Sequence, residues 1–304
     1  MPWDVTAKEH EEDAQAIFML DYMRLVGIAL LYWDHAVTLD REVDLMWRRP
    51  RKSLSSYFFF LNRYFACFTM IPSAVVPFVT LSSSACSRFC MFREVVLVGT
   101  QVIVAAVMIT RVYALYGRSK HVLWGLLGFA GLIVAIAGWF LSGQRGWFPH
   151  TGLSGCHWLM NSNTALHLAG PWEALFALDA VIFCMTLVNA WSIRYARGPS
   201  TSLQRLVVRD GALYFGVVAA ANLLNIATYY MDSPMFEAGS LATIASCVSV
   251  TTISRLMLNL HAYADCVGIL SQPEAPEMQE KGRQDFSVTV RDPERTTSPI
   301  VVSI

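Results

Sequence analysis

Residues 122–141 read VLWGLLGFAGLIVAIAGWFL, a run of twenty positions without a charged side chain. An α-helix rises 1.5 Å per residue, so about 20 apolar residues cross the roughly 30 Å of hydrocarbon in a bilayer. Residues 211–231, GALYFGVVAAANLLNIATYYM, are of similar length and also lack charge. A soluble protein would have to bury both stretches completely. They therefore predict helices that span a membrane.

Five further stretches have the length and apolar character of spans. The seven predicted spans cover residues 16–39, 57–81, 94–116, 122–141, 171–193, 211–231 and 240–260. Hydrophobic residues make up 55% of the 304 positions and charged residues 15%, against about 25% charged in a typical soluble domain. Long continuous runs favour helices over the short alternating strands of a barrel. We predict an all-α fold, a seven-helix transmembrane bundle in an integral, multi-pass protein. The lipid bilayer is then its main partner, whether in the plasma membrane or an endomembrane.

Arginine and lysine are concentrated on one side of these spans. That side carries eleven of them: Arg41, Arg48, Arg49, Arg51, Lys52, Arg118, Lys120, Arg194, Arg197, Arg205 and Arg209. The opposite loops carry three, Arg88, Arg93 and Arg145. The positive-inside rule then places the amino-terminal segment 1–15 outside and the carboxyl terminus in the cytosol. Residues 261–304, rich in Pro, Glu, Gln, Arg, Ser and Thr, are predicted to form a disordered cytoplasmic tail.

Polar side chains inside the predicted spans are the default candidates for a functional site, because burying them in lipid is costly. Asp21 and Arg24 lie three residues apart on the first span, where each can neutralise the other. Asp179 lies in the fifth span, and Asn222 and Asn225 lie in the sixth. We predict that these five residues line a polar cavity open to the outside. The alternative is that each satisfies a neighbouring helix by hydrogen bonding.

Two charged residues fall at matching depth near the cytoplasmic side. Asp34 is near the end of the first span and Arg63 near the start of the second. They are candidates for a buried ion pair that joins the two spans. Snorkelling of Arg63 to the lipid headgroups is an equally simple alternative.

Three of the seven cysteines lie in the predicted outward loops: Cys86, Cys90 and Cys156. An oxidising compartment permits a disulfide between the second-to-third and fourth-to-fifth loops. The first candidate is Cys90 with Cys156, and Cys86 is the alternative partner. Free thiols are the other possibility, since at least one of the three stays unpaired.

Several classes of activity lack their required residues. The four lysines, Lys8, Lys52, Lys120 and Lys281, all lie outside the spans, so none can form a Schiff base with a buried aldehyde. His35 and His167, the histidines near the membrane, belong near opposite faces, which does not suit a zinc site. We expect no catalytic residue, no metal and no cofactor, and therefore no enzyme. A net charge of zero argues against nucleic-acid binding.

One long block carries a resemblance. Residues 30–64 read LLYWDHAVTLDREVDLMWRRPRKSLSSYFFFLNRY, and further matches follow at RVYALYGRS, GCHW, RDGALYF and SRLMLNL. The chain resembles a fungal (basidiomycete-type) family of seven-helix integral membrane proteins of unknown function, with a signature of about residues 22–64. The matching positions are Asp40, Arg41, Glu42, Trp47, Asn62, Arg63 and Tyr64. The resemblance implies the same topology and no catalytic residues.

The layout also resembles that of G-protein-coupled receptors, although their acid-Arg-Tyr and Asn-Pro-x-x-Tyr motifs are absent. We therefore hypothesise a receptor-like or sensor-like protein, in which an outer ligand biases the bundle and a cytosolic signalling partner reads the Arg-rich inner loops. One alternative is a small-solute transporter or channel whose path runs from Asp21, Arg24 and Asp179 past Asp34 and Arg63. The second alternative is a non-catalytic structural membrane protein.

Overall fold

The structure is a computed structural model. It describes residues 2–48, 54–142, 156, 162–195, 202–231 and 238–270. Within these ranges the chain forms helices, short turns and no β-strand. The predicted all-α fold is confirmed.

Seven α-helices make up almost all of the described chain. They are α1 (Pro2–Glu42), α2 (Leu54–Val75), α3 (Ser83–Leu115), α4 (Lys120–Ser142), α5 (Ser162–Tyr195), α6 (Ser202–Tyr230) and α7 (Ala242–Leu270). A π-helical turn, Val43–Trp47, continues α1, and a 3-10 turn, Val76–Phe78, follows α2. The tight turn between α3 and α4 places Gly117 and Arg118 at positive φ, a conformation that favours glycine.

Each of the seven helices contains a segment long and apolar enough to cross a membrane. Each of these segments overlaps one of the predicted spans. By length and composition, the chain is a multi-pass integral membrane protein.

The exterior of the bundle is apolar, as expected for a surface in contact with lipid. Large side chains such as Trp124 and Trp139 are 70% and 80% exposed, and Trp33 and Phe68 are also exposed. A water-soluble protein rarely exposes so many large apolar side chains together. Among the seven spans, α7 is the most buried and α4 the least, so α7 lies at the centre of the packing and α4 at its edge.

Several helices extend beyond the predicted spans. Helix α3 begins at Ser83 rather than 94, α5 begins at Ser162 rather than 171, and α7 continues to Leu270 rather than 260. An apolar run locates the part of a helix that lies in hydrocarbon, whereas backbone hydrogen bonds continue through polar residues on either side. Residues 261–270 are therefore helical, which corrects the predicted start of a disordered tail. Residues 271–304 lie outside the described chain.

The chain divides into a unit of residues 1–264 and a second unit of residues 265–304, of which the described part is the last turn and a half of α7. Side-chain contacts define two ends of the first unit. One end holds the Cys86–Cys156 disulfide and a hydrogen bond from Tyr230 to Glu173, and we call it the disulfide end. The other, called the opposite end, holds a hydrogen bond from Arg111 to Ser55.

Candidate functional site

The most buried charges of the described chain form an ion pair between α1 and α2. Arg63 Nε lies 2.7 Å from Glu42 Oε2, and both side chains are almost completely inaccessible to solvent. Glu42 Oε1 also accepts hydrogen bonds from the Tyr64 hydroxyl at 2.8 Å and from the Trp47 indole N–H at 3.0 Å. The π-helical turn carries Trp47 back toward Glu42. A carboxylate surrounded by three donors is well stabilised at this depth.

The same arginine ties the two helices together through backbone groups. Arg63 Nη2 donates to the His35 carbonyl at 2.9 Å, and the His35 ring Nε2 lies 3.2 Å from the Arg63 carbonyl. The guanidinium also sits 5.8 Å from the centre of the Phe59 ring, a cation–π distance. Arg63 therefore does not snorkel to the headgroups.

Helix α7 is connected to α1 and α2 by polar residues that lie near this ion pair. Asn62 Nδ2 donates to the Val250 carbonyl and to Ser254 Oγ, both at 3.1 Å. Arg255 forms an ion pair with Asp34 of α1. We call this set of contacts the α1–α2–α7 network.

Further along α7, Asn259 connects α1 to α6. Arg41 Nη2 donates to Asn259 Oδ1 at 2.9 Å, and Asn259 Nδ2 donates to the Tyr214 hydroxyl at 2.6 Å. The opposite end of the bundle is therefore crosslinked by side chains from four helices.

The predicted Asp34–Arg63 pair is not formed. Asp34 pairs with Arg255, and Arg63 pairs with Glu42. Matching depth places two residues at the same level of the bundle but does not determine which face of a helix each one occupies. Glu42 was missed as a partner because its position in an acid-rich and base-rich run resembles that of a solvent-exposed loop charge.

Asp21 and Arg24 form an ion pair at 2.9 Å, and both side chains are largely buried. Arg24 also interacts electrostatically with Arg93 and Glu94 of α3, which are 2.8 Å apart from each other. These four residues form a charge-balanced cluster between α1 and α3 near the disulfide end. Their charges neutralise one another.

Asp179 and Asn222 are also in contact. Asn222 Nδ2 donates to Asp179 Oδ2 at 2.6 Å, which joins α5 to α6. Asn225 is fully buried one turn along α6, and neither of its side-chain polar atoms has a hydrogen-bond partner among the described residues.

A pocket of about 280 Å³ lies between α3, α4 and α5. Its lining is apolar apart from Glu94, Gln101 and the indole of Trp172. Gln101 Nε2 donates to Ser246 Oγ of α7 at 3.2 Å, and its buried Oε1 has no partner among the described residues. None of the five predicted cavity residues lines this pocket. Gln101 was missed, although it is a polar residue in the apolar run VVLVGTQVIVAAVMI, and that was the available signal.

The disulfide joins Cys86 to Cys156, which was the alternative to the first candidate pair. Cys90 is a buried free thiol whose S–H donates to the Cys86 carbonyl at 3.0 Å. The three sulfur atoms lie within 4.8 Å of one another. Cys86 and Cys90 are four residues apart on one face of α3, so sequence spacing could not decide which of them pairs.

The second half of α1 and most of α2 match a sequence family. Residues 22–68 match the Family of unknown function (DUF6533). The matched segment contains Glu42, Arg63 and Tyr64, which join α1 to α2, and Asp34 and Asn62, which contact α7. No curated protein matches the chain. By length and composition, its seven apolar helices fit a multi-pass membrane protein, and residues 22–68 are similar to a family of unknown function.

Proposed function

We propose that this protein is a receptor-like or sensor-like membrane protein. In this proposal a mainly apolar ligand enters the pocket between α3, α4 and α5, and a cytosolic partner responds at the opposite end. The amino terminus faces outward, as the distribution of Arg and Lys indicates.

The observation that carries the proposal is the position of Gln101. Its side chain lines the pocket and is hydrogen-bonded to Ser246 of α7, while its Oε1 is a buried acceptor without a partner among the described residues. A buried acceptor without a donor is costly, so a ligand that donates a hydrogen bond there gains binding energy. Ligand pockets commonly combine an apolar lining with a few such polar groups.

Helix α7 connects this pocket residue to the opposite end. Ser246 and Ser254 lie eight residues apart on α7, about 12 Å along its axis. Ser254 accepts from Asn62, and the next residue, Arg255, pairs with Asp34. A ligand that changes the Gln101–Ser246 contact therefore acts on the helix that holds the α1–α2–α7 network.

The effect of a ligand depends on its different affinity for two arrangements of the bundle. In one arrangement the Gln101 amide remains on Ser246. In the other it turns toward the ligand and releases α7 from α3. Exposed charges at the opposite end, including Arg48, which is 72% exposed, then present a different surface to a cytosolic partner.

A second candidate function is a small-solute carrier, favoured by Asp179. This carboxylate is buried near the middle of its span, and ionisable residues at that depth are typical of transport pathways. The transport path predicted from the sequence runs past Asp34 and Arg63. Each of these residues is held in an ion pair with another partner, which weighs against that path.

The proposal is tested by Gln101→Leu, which removes the acceptor and the bond to Ser246 while preserving an apolar lining. Val95→Leu is the matched control, since Val95 is on α3 but exposed on the exterior and absent from the pocket. A proximity-labelling enzyme fused after residue 304 records the neighbouring cytosolic proteins in cells.

We expect Gln101→Leu to change the recovery of particular cytosolic proteins at least several-fold, and Val95→Leu to match the wild type. Equal recovery in all three proteins would contradict the receptor-like function. Loss of uptake of a solute on deletion, restored by the wild type and not by Asp179→Asn, would establish the carrier instead. If neither the proximity labelling nor the solute uptake changes, a non-catalytic structural role is supported.

A further inference from the structure

The carboxylate of Asp179 lies near the middle of its membrane span. Asp179 lies about midway along the span His167–Ser192, and the residue is 1% exposed. Its depth therefore places it far from both membrane surfaces. An isolated carboxylate at that depth is strongly disfavoured unless its charge is neutralised.

No charged side chain of the described residues neutralises it. Among the described residues, the Asp179 carboxylate accepts a hydrogen bond from the Asn222 amide and forms no ion pair. The described basic side chains of α5 and of the helices packed against it form no ion pair with Asp179; they are Arg88, Arg93 and Arg111 of α3, Lys120 and His121 of α4, and His167 of α5. Glu94 and Glu173 carry charge of the same sign and cannot neutralise it. This differs from Asp21, Asp34 and Glu42, each of which has an arginine partner.

Helix α6, which packs against α5, contributes two further buried oxygen atoms. Asn222 and Asn225 are both fully buried, and the Oδ1 atom of each has no hydrogen-bond partner among the described residues. Residues three apart lie on one face of a helix, so both amides belong to the face of α6 that meets Asp179. A buried amide oxygen without a donor adds to the larger cost of the buried carboxylate, and one cation relieves all three groups.

The chemistry of this set selects the class of ion. Carboxylate and amide oxygens are ligands for hard cations, and they do not suit soft metals. One formal negative charge balances one positive charge, whereas a divalent ion would leave an excess charge in the middle of the bundle. We propose that Asp179, Asn222 and Asn225 form a site for a small monovalent cation, with a proton as its competitor at the carboxylate. This site is independent of the pocket that carries the proposed function.

The test uses the full-length protein purified in detergent and Na⁺ as the probe ion. Thermal unfolding midpoints are measured at pH 8 from 0 to 500 mM NaCl, with ionic strength held constant by choline chloride. Because Na⁺ binds the folded state, we expect the midpoint to rise with the logarithm of Na⁺ concentration above the dissociation constant. The same titration at pH 5 is expected to give a smaller rise, because protons occupy the carboxylate.

Two variants and a control locate the effect. Asp179→Asn keeps the shape and removes the charge, so we expect a folded protein whose midpoint no longer depends on Na⁺. Asn225→Leu keeps the charge and removes one oxygen, so at least a several-fold higher Na⁺ concentration is needed for the same rise. Thr186→Val is the control, since Thr186 is a buried hydroxyl of α5 that bonds its own helix at Ile182.

A midpoint of the wild type that is the same in Na⁺ and choline overturns the proposal. So does an Asp179→Asn protein that retains the full Na⁺ response, because the ion would then bind elsewhere. The sodium dependence of the unfolding midpoint does not depend on the outcome of the Gln101→Leu labelling experiment. The two proposals can therefore fail separately.

Discussion

At the scale of single residues, the ion pair with Glu42 offsets the free-energy cost of burying the Arg63 charge inside the bundle. Arg63 is the largest fully buried side chain of the described chain, and Glu42 is its charged partner. Burying two charges costs several kcal/mol per ion, and their attraction repays this cost only with good geometry and additional hydrogen bonds. Tyr64 and Trp47 supply two of those hydrogen bonds.

Glu42→Gln is therefore expected to destabilise the protein by about 3–5 kcal/mol, because it leaves the Arg63 charge buried without its partner. The double variant Glu42→Gln/Arg63→Met is expected to recover much of that loss, since it removes both charges. Unfolding free energies in a detergent–denaturant series give the measurement.

The matched control for this prediction lies on the same segment. Asp44 and Arg48 form an ion pair at 2.7 Å, but both are exposed. Asp44→Asn should therefore cost about 1 kcal/mol or less. If the double variant proves no more stable than Glu42→Gln alone, the buried charge of Arg63 is not the cause of the loss.

The residue-scale features differed in how far the sequence could reveal them. The Asp21–Arg24 pair follows from a spacing of three on one helix, and it is present. The partners of Asp34 and Arg63 depend on how α1, α2 and α7 are rotated about their axes, which span counting does not determine. Gln101 was visible as a polar residue in an apolar run, but its role depends on Ser246 of another helix.

At the scale of helices, α1 and α7 approach each other closely at Gly27. A Cβ atom added to Gly27 would lie 3.0 Å from the Ile244 Cα atom and 3.1 Å from its amide nitrogen. Both neighbours are backbone atoms, so they cannot move aside as a side chain could. Small residues at helix contacts permit this close approach in membranes, where dispersion and hydrogen bonds replace the hydrophobic effect.

Gly27→Ala is expected to lower stability by about 1–3 kcal/mol, because the new methyl group forces α1 away from α7. Gly125→Ala of α4 is the control, since nothing lies within 4 Å of its added Cβ. That control should gain up to about 1 kcal/mol from the higher helix propensity of alanine. Thermal unfolding midpoints of the two variants must therefore move in opposite directions, and movement in the same direction would contradict the close packing of α1 on α7.

The helix-scale predictions from sequence were accurate in number and approximate in position. Charge-free runs such as 122–141 locate spans because hydrocarbon excludes charge over a fixed thickness. The ends of α3, α5 and α7 lie beyond those runs. Helical hydrogen bonds form in water as well as in hydrocarbon, so the apolar pattern does not locate the ends of the helices.

At the scale of the whole molecule, the two ends of the bundle differ in chemistry. The disulfide end holds the Cys86–Cys156 bond, and disulfides persist in oxidising compartments. The predicted inner loops hold eleven of the arginine and lysine residues, against three in the predicted outer loops. Two independent signals, redox chemistry and charge, thus favour the same orientation.

We therefore expect the opposite end to face the cytosol, and we test it with a membrane-impermeant maleimide on sealed cells. Arg48→Cys introduces a thiol at the opposite end, at an exposed position. Ser82→Cys introduces one beside the start of α3 at the disulfide end, which is also exposed. Labelling of Ser82→Cys before permeabilisation and of Arg48→Cys only afterwards is the expected result, with the unsubstituted protein as the control for native thiols. The reverse pattern would place the arginine-rich loops outside. It would also remove the basis for a cytosolic partner, because a ligand in the α3–α4–α5 pocket would then have no cytosolic surface at that end to change.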